Sequence, residues 1–329
     1  MNITLAGFAG TLALALATLA LPAHAAKISM ESASGAAVTG MLPQSLAPAW
    51  SKAGVDVELA LGQTLTKSLL KMGQGSLDAS VIPLPAYTAL VKGVGPYSQM
   101  GDKARPLADN IRSLFAFTAS TYHAIVWADS GIETWADIKG KRVFIGPPAG
   151  AANAQIMGLV KAASGYEEGK DYQGIKAPWN VATNNFKDGQ YDVYVGALGI
   201  GSQAMVELSL SRKIRLLSMP DRSAPPAALG LKVATIPANA YPGMVNTADT
   251  IAWSTLMMLA VNKNVSDDVA YQLTKVYFEQ LPALVKANAA LAHLSADDTL
   301  DGLTAPLHPG AARYFKEIGR EVPAALIAK

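Results

Sequence analysis

The residues best suited to chemistry lie in a small-residue turn that follows a predicted strand. Residues 141–145 (Lys-Arg-Val-Phe-Ile) predict a short buried strand, and residues 146–153 (Gly-Pro-Pro-Ala-Gly-Ala-Ala-Asn) interrupt regular structure. Residues 151–163 then have a helix-forming composition. A turn that opens a helix points free backbone N–H groups at a carboxylate or phosphate. We therefore predict an anion-binding turn, with a plain strand–helix connection as the open alternative.

Several other kinds of chemistry have no support in the sequence. The turn lacks the Gly-Lys-Ser/Thr of a Walker loop and the G-x-G-x-x-G spacing of dinucleotide sites. The chain has no cysteine and four histidines, and it contains neither G-x-S-x-G nor H-E-x-x-H. A net charge of +2 from dispersed residues gives no footprint for nucleic acid. We predict no enzyme activity, no cofactor and no metal site.

The N-terminus has the pattern of an export signal. Residues 1–25 contain no charged residue, and an apolar run over 3–21 is followed by Pro-Ala-His-Ala, an A-x-A type cleavage site. A transmembrane anchor is the alternative interpretation. We predict a cleaved signal peptide and a periplasmic protein that comprises residues 26–329.

The remaining chain alternates strands and helices, which predicts an α/β fold. Predicted strands cover 28–31, 55–59, 79–82, 112–119, 124–128, 141–145, 174–177, 191–195, 214–218 and 256–261. Predicted helices include 41–52, 65–72 and 151–163, an amphipathic helix after Ser266, and a C-terminal helix. The pattern G-x-apolar-D-apolar occurs at 75–79 and again at 189–193, which favours two related lobes.

Residues 129–314 carry a series of short motifs. They are Asp-Ser-Gly-Ile at 129–132, Ala-Asp-Ile-Lys-Gly-Lys-Arg-Val at 136–143, Gly-x-x-Ala-Gly-Ala at 146–151, Phe-x-Asp-Gly-Gln-x-Asp at 186–192, Ile-Pro-Ala-x-x-Tyr-Pro-Gly at 236–243, Lys-Val-Tyr-Phe-Glu at 275–279 and Pro-Leu-His-Pro-Gly-Ala-x-Arg-Tyr at 306–314. In this order they resemble the solute-binding subunits of TRAP transporters, most closely the TAXI branch (TRAP-associated extracytoplasmic immunogenic proteins).

The resemblance implies a two-lobed periplasmic-binding-protein fold of the second structural type. Each lobe would be a mixed sheet flanked by helices, with the ligand cleft between the lobes. The expected domains are a signal peptide at 1–25, lobe I at 26–120 and 253–329, and lobe II at 121–252.

The resemblance also implies a function and its partners. A monomer would capture a small carboxylate or amino acid, such as glutamate or 2-oxoglutarate, by closing its lobes. It would then deliver the ligand to the membrane permease subunits of a TRAP transporter, which would be its one contact with the membrane. A periplasmic sensor that presents the ligand to a membrane receptor is the alternative.

Two loops depart from the family pattern. Residues 32–43 lack the tyrosines of the family's Gly-Thr-Tyr-Tyr-Pro, and residues 149–152 (Ala-Gly-Ala-Ala) lack both hydroxyls of its Gly-Ser-Gly-Thr turn. Because of these two changes, the resemblance implies only the ligand class, a small organic acid, for this chain. The changed loops could enlarge the pocket or relocate its polar contacts.

We predict ligand contacts mainly in the turns that follow strands, where clefts form in such sheets. The Tyr122 hydroxyl is preferred to the His123 ring as a donor to the ligand. Trp179 could stack on the ligand. Ordinary turn chemistry, and a core position for the tryptophan, remain the alternatives. The predicted ligand-binding residues are Ser34, Gly35, Thr39, Gln63, Thr64, Tyr122, Gly150, Ala151, Ala152, Asn153, Trp179, Asn180, Asn184, Leu198 and Gly199.

Overall fold

The computed structural model describes residues 25–35, 37–148 and 151–328. Apart from Ala25, the predicted signal peptide lies outside the described residues, as does Gly150. The strands are β1 Ala26–Glu31, β2 Val55–Ala60, β3 Ala79–Pro83, β4 Ile111–Trp127, β5 Arg142–Phe144, β6 Gln173–Ile175, β7 Val193–Leu198, β8 Ile214–Leu216, β9 Leu231–Ile236 and β10 Thr250–Asn262. The helices are α1 Val38–Lys52, α2 Leu65–Gly73, α3 Leu84–Lys92, α4 Ala104–Ala108, α5 Ala152–Ser164, α6 Trp179–Lys187, α7 Gln203–Ser211, α8 Asp267–Ala287 and α9 Pro309–Glu317.

The described strands form one mixed sheet in the order β2-β1-β3-β10-β4-β7-β5-β6, with β9 paired to β10 and β8 paired to β4. Two sets of strands are parallel within themselves. In the first set, β1 pairs with β2 and β3, and in the second, β5 pairs with β6 and β7. The long strands β4 and β10 are antiparallel to each other and join the two sets.

The strands β4 and β10 cross from one half of the molecule to the other. Near their crossing Thr121 pairs with Ser254, and their hydroxyl oxygens lie 2.7 Å apart. The pairing register shifts between Ser254 and Leu256, which marks a bulge at this point. The two strands predicted at 112–119 and 124–128 are therefore one strand. The break predicted between them is wrong, because residues 120–123 contain no glycine or proline and continue the ladder.

The buried apolar side chains form three clusters that follow this division. One cluster draws on residues between 28–119 and 256–326, and we call this half the first lobe. The other two draw on residues between 122 and 253, and we call this half the second lobe. In the first lobe, the Trp50 indole donates to the Leu273 carbonyl at 3.2 Å, so α8 packs back on α1.

The repeated G-x-apolar-D-apolar pattern occupies equivalent positions in the two lobes. Asp78 precedes β3, and its Oδ2 accepts from the Ser29 backbone N–H at 2.8 Å in the neighbouring β1. Asp192 precedes β7, and its Oδ2 accepts from the Arg142 backbone N–H at 2.8 Å in the neighbouring β5. Each carboxylate therefore fixes the start of a parallel strand pair.

Several predicted boundaries differ from the structure. The helix α1 begins at Val38 rather than at 41, and strand β7 continues to Leu198. The helix α6 lies where no helix is predicted. It can form because no glycine or proline follows Pro178 until 189. The strand β9 was not predicted at all.

Candidate functional site

The ends of both parallel strand sets point toward the crossing of β4 and β10. In the first lobe, β3 ends at Pro83 opposite Met257 of β10. In the second lobe, β7 ends at Leu198 opposite Thr121 of β4. Ligands of open α/β sheets bind beyond the carboxyl ends of parallel strands. The turns after β1, β2, β3, β5, β6 and β7 are therefore the candidate ligand site.

In the first lobe the turns after β1 and β2 are joined by backbone hydrogen bonds. The Gln63 N–H donates to the Ser32 carbonyl at 2.9 Å, and the Gly62 N–H donates to the Ala33 carbonyl at 3.1 Å. This arrangement brings the predicted residues Ser34 and Gly35 close to Gln63. The Gln63 side chain donates to the Leu61 carbonyl at 3.0 Å, so it stabilises its own turn.

The predicted residue Thr39 lies in the first turn of α1 and is buried. Its carbonyl accepts from the Ser32 hydroxyl at 2.6 Å. Ala37, immediately before the helix, is the N-cap of α1 and has no side-chain oxygen to offer the first N–H groups. Thr64 is the exposed N-cap of α2, and its side chain also makes no capping hydrogen bond. Both helices therefore present uncapped N-termini at the strand ends.

In the second lobe the predicted anion-binding turn leads into α5. Ala151 is the N-cap of α5 and makes no side-chain hydrogen bond, while Ala152 is its first residue. The Asn153 amide donates to the Ile145 carbonyl at 2.5 Å and so ties the helix to the end of β5. The structure thus gives Asn153 a positioning contact, and its direct contact with a ligand stays a prediction.

The predicted donor Tyr122 lies in the core of the second lobe. Its side chain is 2% exposed, and burial raises the pKa of its hydroxyl. The hydroxyl donates to Gln155 Oε1 at 2.7 Å, and the Gln155 amide donates to the Leu229 carbonyl at 2.7 Å. Tyr122 therefore holds α5 in position, and its contact with a ligand stays a prediction.

His123 supports the turn after β7, a role that the sequence analysis missed. The ring is fully buried, which lowers its pKa to about 4 and keeps it neutral. Nδ1 lies 2.8 Å from the Thr121 carbonyl and Nε2 lies 2.7 Å from the Tyr241 hydroxyl. Because the carbonyl can only accept, the neutral ring carries its proton on Nδ1, and Nε2 accepts from the Tyr241 hydroxyl. That hydroxyl in turn accepts from the Gly201 N–H at 3.2 Å. The only sequence signal for this contact was Tyr241 within the motif at 236–243.

The turn after β7 also faces the tail of the first lobe. Gly199 lies beside the Ala290 carbonyl, since a Cβ placed on this glycine would be 3.9 Å from that oxygen. Ser202, the N-cap of α7, has a buried hydroxyl with no hydrogen-bond partner in the described part of the chain. Nearby, the Asn288 amide lies 3.0 Å from Met41 Sδ at the start of α1. The short helix Ala289–Leu291 thus neighbours a predicted turn of the second lobe and a helix of the first.

Trp179 begins α6 with 39% of its surface exposed. Its ring packs against Phe144 in a T-shaped arrangement, with 5.4 Å between the centroids and 70° between the planes. This contact anchors one side of the indole and leaves surface on which a planar ligand could stack. The predicted residues Asn180 and Asn184 are exposed on the same helix.

An ion pair that the sequence analysis did not find joins the two lobes. The Lys232 ammonium of β9 lies 2.5 Å from Asp298 Oδ1, in the tail of the first lobe. The other Asp298 oxygen accepts from the Thr118 hydroxyl at 3.0 Å. Lys232 also lies 3.5 Å from Asp301. With 29% and 14% of the Lys232 and Asp298 side chains exposed, this pair is better shielded from solvent than most pairs in the described chain.

The described residues contain no cluster of histidine and acidic side chains that could hold a metal ion. Within the same residues, no helix has the length and apolar character required to cross a bilayer.

The fold is similar to that of known periplasmic solute-binding proteins. One is the periplasmic sulfonate-binding protein SsuA of a putative sulfonate ABC transporter from Methylobacillus flagellatus KT. The two sequences are 10% identical, the match covers 90% of the present chain and 88% of SsuA, and the TM-score is 0.52. This similarity confirms the predicted two-lobed binding-protein fold of the second structural type.

Two further structures are more weakly similar. The periplasmic aliphatic sulphonate-binding protein SsuA from Escherichia coli has 13% identity, covers 92% of this chain and 88% of that chain, and gives a TM-score of 0.48. A TRAP solute-binding protein specific for aromatic acids, from an unidentified marine microbe, has 11% identity, covers 76% of this chain and 74% of that chain, and gives a TM-score of 0.43. At the level of sequence, residues 64–319 match the NMT1-like family, so the chain belongs to this family.

Proposed function

We propose that this protein is an extracytoplasmic solute-binding protein that captures a small organic acid between its lobes. The observation that carries the proposal is the convergence of both parallel strand sets on the crossing of β4 and β10, with no side-chain cap on the helix that follows each strand. These helices are α1, α2, α3, α5, α6 and α7. Their first backbone N–H groups remain available to an anionic ligand.

The ligand is held by neutral dipoles rather than by an arginine clamp. Hydrogen bonds from neutral donors to a carboxylate contribute about 1.5–3 kcal/mol each. The buried Ser202 hydroxyl at the start of α7 adds a donor, and Trp179 contributes a face for the body of the ligand. Closure follows because only the closed conformation brings donors of both lobes to one molecule.

The transport partner is a TRAP-type permease driven by an ion gradient. The motif order between 129 and 314 supports this assignment and the TAXI branch. The lobe boundaries at 120/121 and 252/253 belong to the same proposal, as do the cleaved signal peptide at 1–25, the periplasmic location and the monomeric state.

N-terminal sequencing of the exported protein tests the cleavage, with Ala26 expected as the first residue.

A thermal-shift screen tests the ligand class. The exported protein is screened against amino acids, keto acids, dicarboxylates, aromatic acids and sulfonates. A ligand at 100 times its Kd adds about 2.7 kcal/mol of stability, which gives a clear shift in Tm. A hit among the carboxylates supports the proposal, whereas a response confined to sulfonates would contradict the ligand class.

Two variants test the cleft. Trp179→Ala should weaken the binding of a carboxylate hit at least tenfold, because the exposed ring is removed from the strand-end turns. Leu210→Ala, which truncates a side chain that is 67% exposed on α7, is the matched control and should bind normally. Equal affinities for the two variants would exclude Trp179 from the site.

Uptake into membrane vesicles tests the partner. Vesicles that contain the permease pair are given the loaded protein together with either a sodium gradient or ATP. Uptake that needs the gradient supports a TRAP-type permease, uptake that needs ATP indicates an ABC transporter, and no uptake under either condition favours presentation to a receptor.

A further inference from the structure

A second concave site lies in the first lobe, apart from the strand-end turns. It has a volume of about 560 Å³ and lies between α3, α4, the start of β4 and two tail segments. Pockets of about 300–1,000 Å³ are typical of small-molecule sites. The lining contains none of the residues predicted to contact the ligand, so this pocket is separate from the cleft. The lining residues are Tyr87, Thr88, Val91, Arg105, Asp109, Arg112, Thr304, Pro306, Ala325 and Ile327.

The polar groups of this pocket are grouped around the Tyr87 hydroxyl. Tyr87 is 7% exposed, and no hydrogen bond of its hydroxyl occurs within the described residues. Burial raises its pKa and Asp109 adds to the rise, whereas Arg112 and Arg105 oppose it. The hydroxyl is therefore a neutral donor that lies within the field of all three charged groups.

The two arginines differ in how they are held. Arg112 Nη1 donates to the Asp109 carbonyl at 2.9 Å and to the Ile111 carbonyl at 2.8 Å, which fixes the guanidinium at the start of β4. Arg105 is exposed and makes no side-chain hydrogen bond or ion pair with any described residue. One guanidinium is thus preorganised and the other is free to close on a ligand. With Asp109, the local charge is one positive unit, which suits a monoanion.

The rest of the lining is apolar. Val91, Pro306, Ala325 and Ile327 face the same space, and Ile327 is 59% exposed. An exposed isoleucine beside two guanidinium groups suits a ligand with an apolar body and an anionic end. We propose that this pocket binds a small amphipathic carboxylate, independently of the interlobe cleft.

Hexanoate is a suitable probe, with 1-hexanol and hexylamine as matched compounds of the same length. The exported protein is titrated with each compound, and binding is followed by saturation-transfer NMR. Hexanoate should bind, while the neutral and cationic analogues should bind at least tenfold more weakly. Equal binding of hexanoate and hexanol would overturn the proposal, because no charge would then be recognised.

Two variants locate the binding. Arg105→Met removes an exposed charge, and Tyr87→Phe removes a single hydroxyl, and each should lower hexanoate affinity at least fivefold. Arg222→Met, at an exposed arginine of the second lobe, is the control and should have no effect. Urea unfolding of each variant verifies its fold.

The cleft could also bind hexanoate, so the two sites must be separated. Trp179→Ala should leave hexanoate affinity unchanged if the probe occupies the first-lobe pocket. Binding that Trp179→Ala removes and Arg105→Met retains belongs to the cleft and would contradict the proposal. Because the two sites share no residue, failure here leaves the proposed transport function standing.

Discussion

The helices that follow the parallel strands and the two helices of the tail begin in different ways. Those that follow the parallel strands, such as α1 after Ala37, start with no side-chain cap. The two tail helices are both capped. The Ser266 hydroxyl accepts from the Val269 N–H at 3.3 Å in α8, and His308 Nδ1 accepts from the Gly310 N–H at 3.2 Å in α9.

Under the proposed function, this difference separates a requirement of folding from a requirement of binding. A side-chain cap satisfies N–H groups that a helix cannot pair internally, and its loss costs about 0.5–2 kcal/mol. In the tail the cap adds stability. Under the proposed function, the missing caps at the strand ends leave donors for a ligand, and ligand binding would offset the cost.

Supplying a cap at the binding end should weaken binding strongly. Ala37 has the extended backbone that suits an N-cap, with φ −94° and ψ 153°. Ala37→Asp should lower carboxylate affinity about 100-fold, because its own carboxylate occupies the N–H groups and repels the ligand. Calorimetric titration measures the effect.

The neutral variant Ala37→Asn is the control and should cost less affinity than Ala37→Asp. Unchanged binding by Ala37→Asp would mean that the start of α1 does not contact the ligand, and the comparison between the two kinds of helix would then fail.

The buried His123 should make stability depend on pH. Burial lowers its pKa in the folded state to about 4 from an ordinary 6.5. Between these two pH values the ring is protonated in the unfolded chain and neutral in the folded chain. Above pH 6.5 both states are neutral and stability does not depend on this group. As the pH falls from 6.5 toward 4, the folded state loses stability with a slope that approaches about 1.4 kcal/mol per pH unit.

Urea unfolding at several pH values measures this loss. His123→Gln should flatten part of the slope, while the remainder comes from His293 and His308, whose pKa values burial also lowers. An unchanged slope in His123→Gln would show that this ring is not the proton-sensitive group.

Breaking the interlobe ion pair should favour the open conformation. Lys232→Met leaves Asp298 without its cation and should destabilise the closed arrangement by about 1–2 kcal/mol, since the pair is partly exposed. Small-angle scattering should show a larger radius in the absence of ligand.

The control for this variant is Lys161→Met, which removes an exposed pair within the second lobe and should leave the radius unchanged. If both variants have the wild-type radius, the pair does not control closure.

Removing a tail cap should affect stability alone. Ser266→Ala should lower the free energy of unfolding by about 1 kcal/mol, because the Val269 N–H loses its partner. Ligand affinity should stay at the wild-type value. A loss of affinity comparable to that of Ala37→Asp would remove the distinction between tail and strand-end helices.

Much of the local structure could be predicted because it depends on neighbours in the chain. The strand, turn and helix at 141–163 are local patterns of β-branched residues, glycine, proline and helix formers, and β5 and α5 lie there. Ser266 as the N-cap of α8 could be predicted for the same reason. The binding roles of the selected site residues remain predictions.

Contacts between distant residues could not be predicted. No local pattern distinguishes Lys232 from other exposed lysines, because its partner Asp298 lies 66 positions away. Tyr122 and His123 are adjacent in sequence, yet their side chains contact different partners, Gln155 and Tyr241, because alternate residues of a strand face opposite sides of the sheet.

The sequence by itself determined most of the alternation of strands and helices, the absence of cysteine, and the repeated G-x-apolar-D-apolar pattern. These properties depend on composition and on short-range backbone preferences. Only the tertiary structure decided that β4 and β10 are continuous through the crossing, that both strand sets point toward it, and that the tail is joined to the second lobe by Lys232 and Asp298. Such features depend on which surfaces are buried together, and residues far apart in the chain are brought together only when the whole core packs.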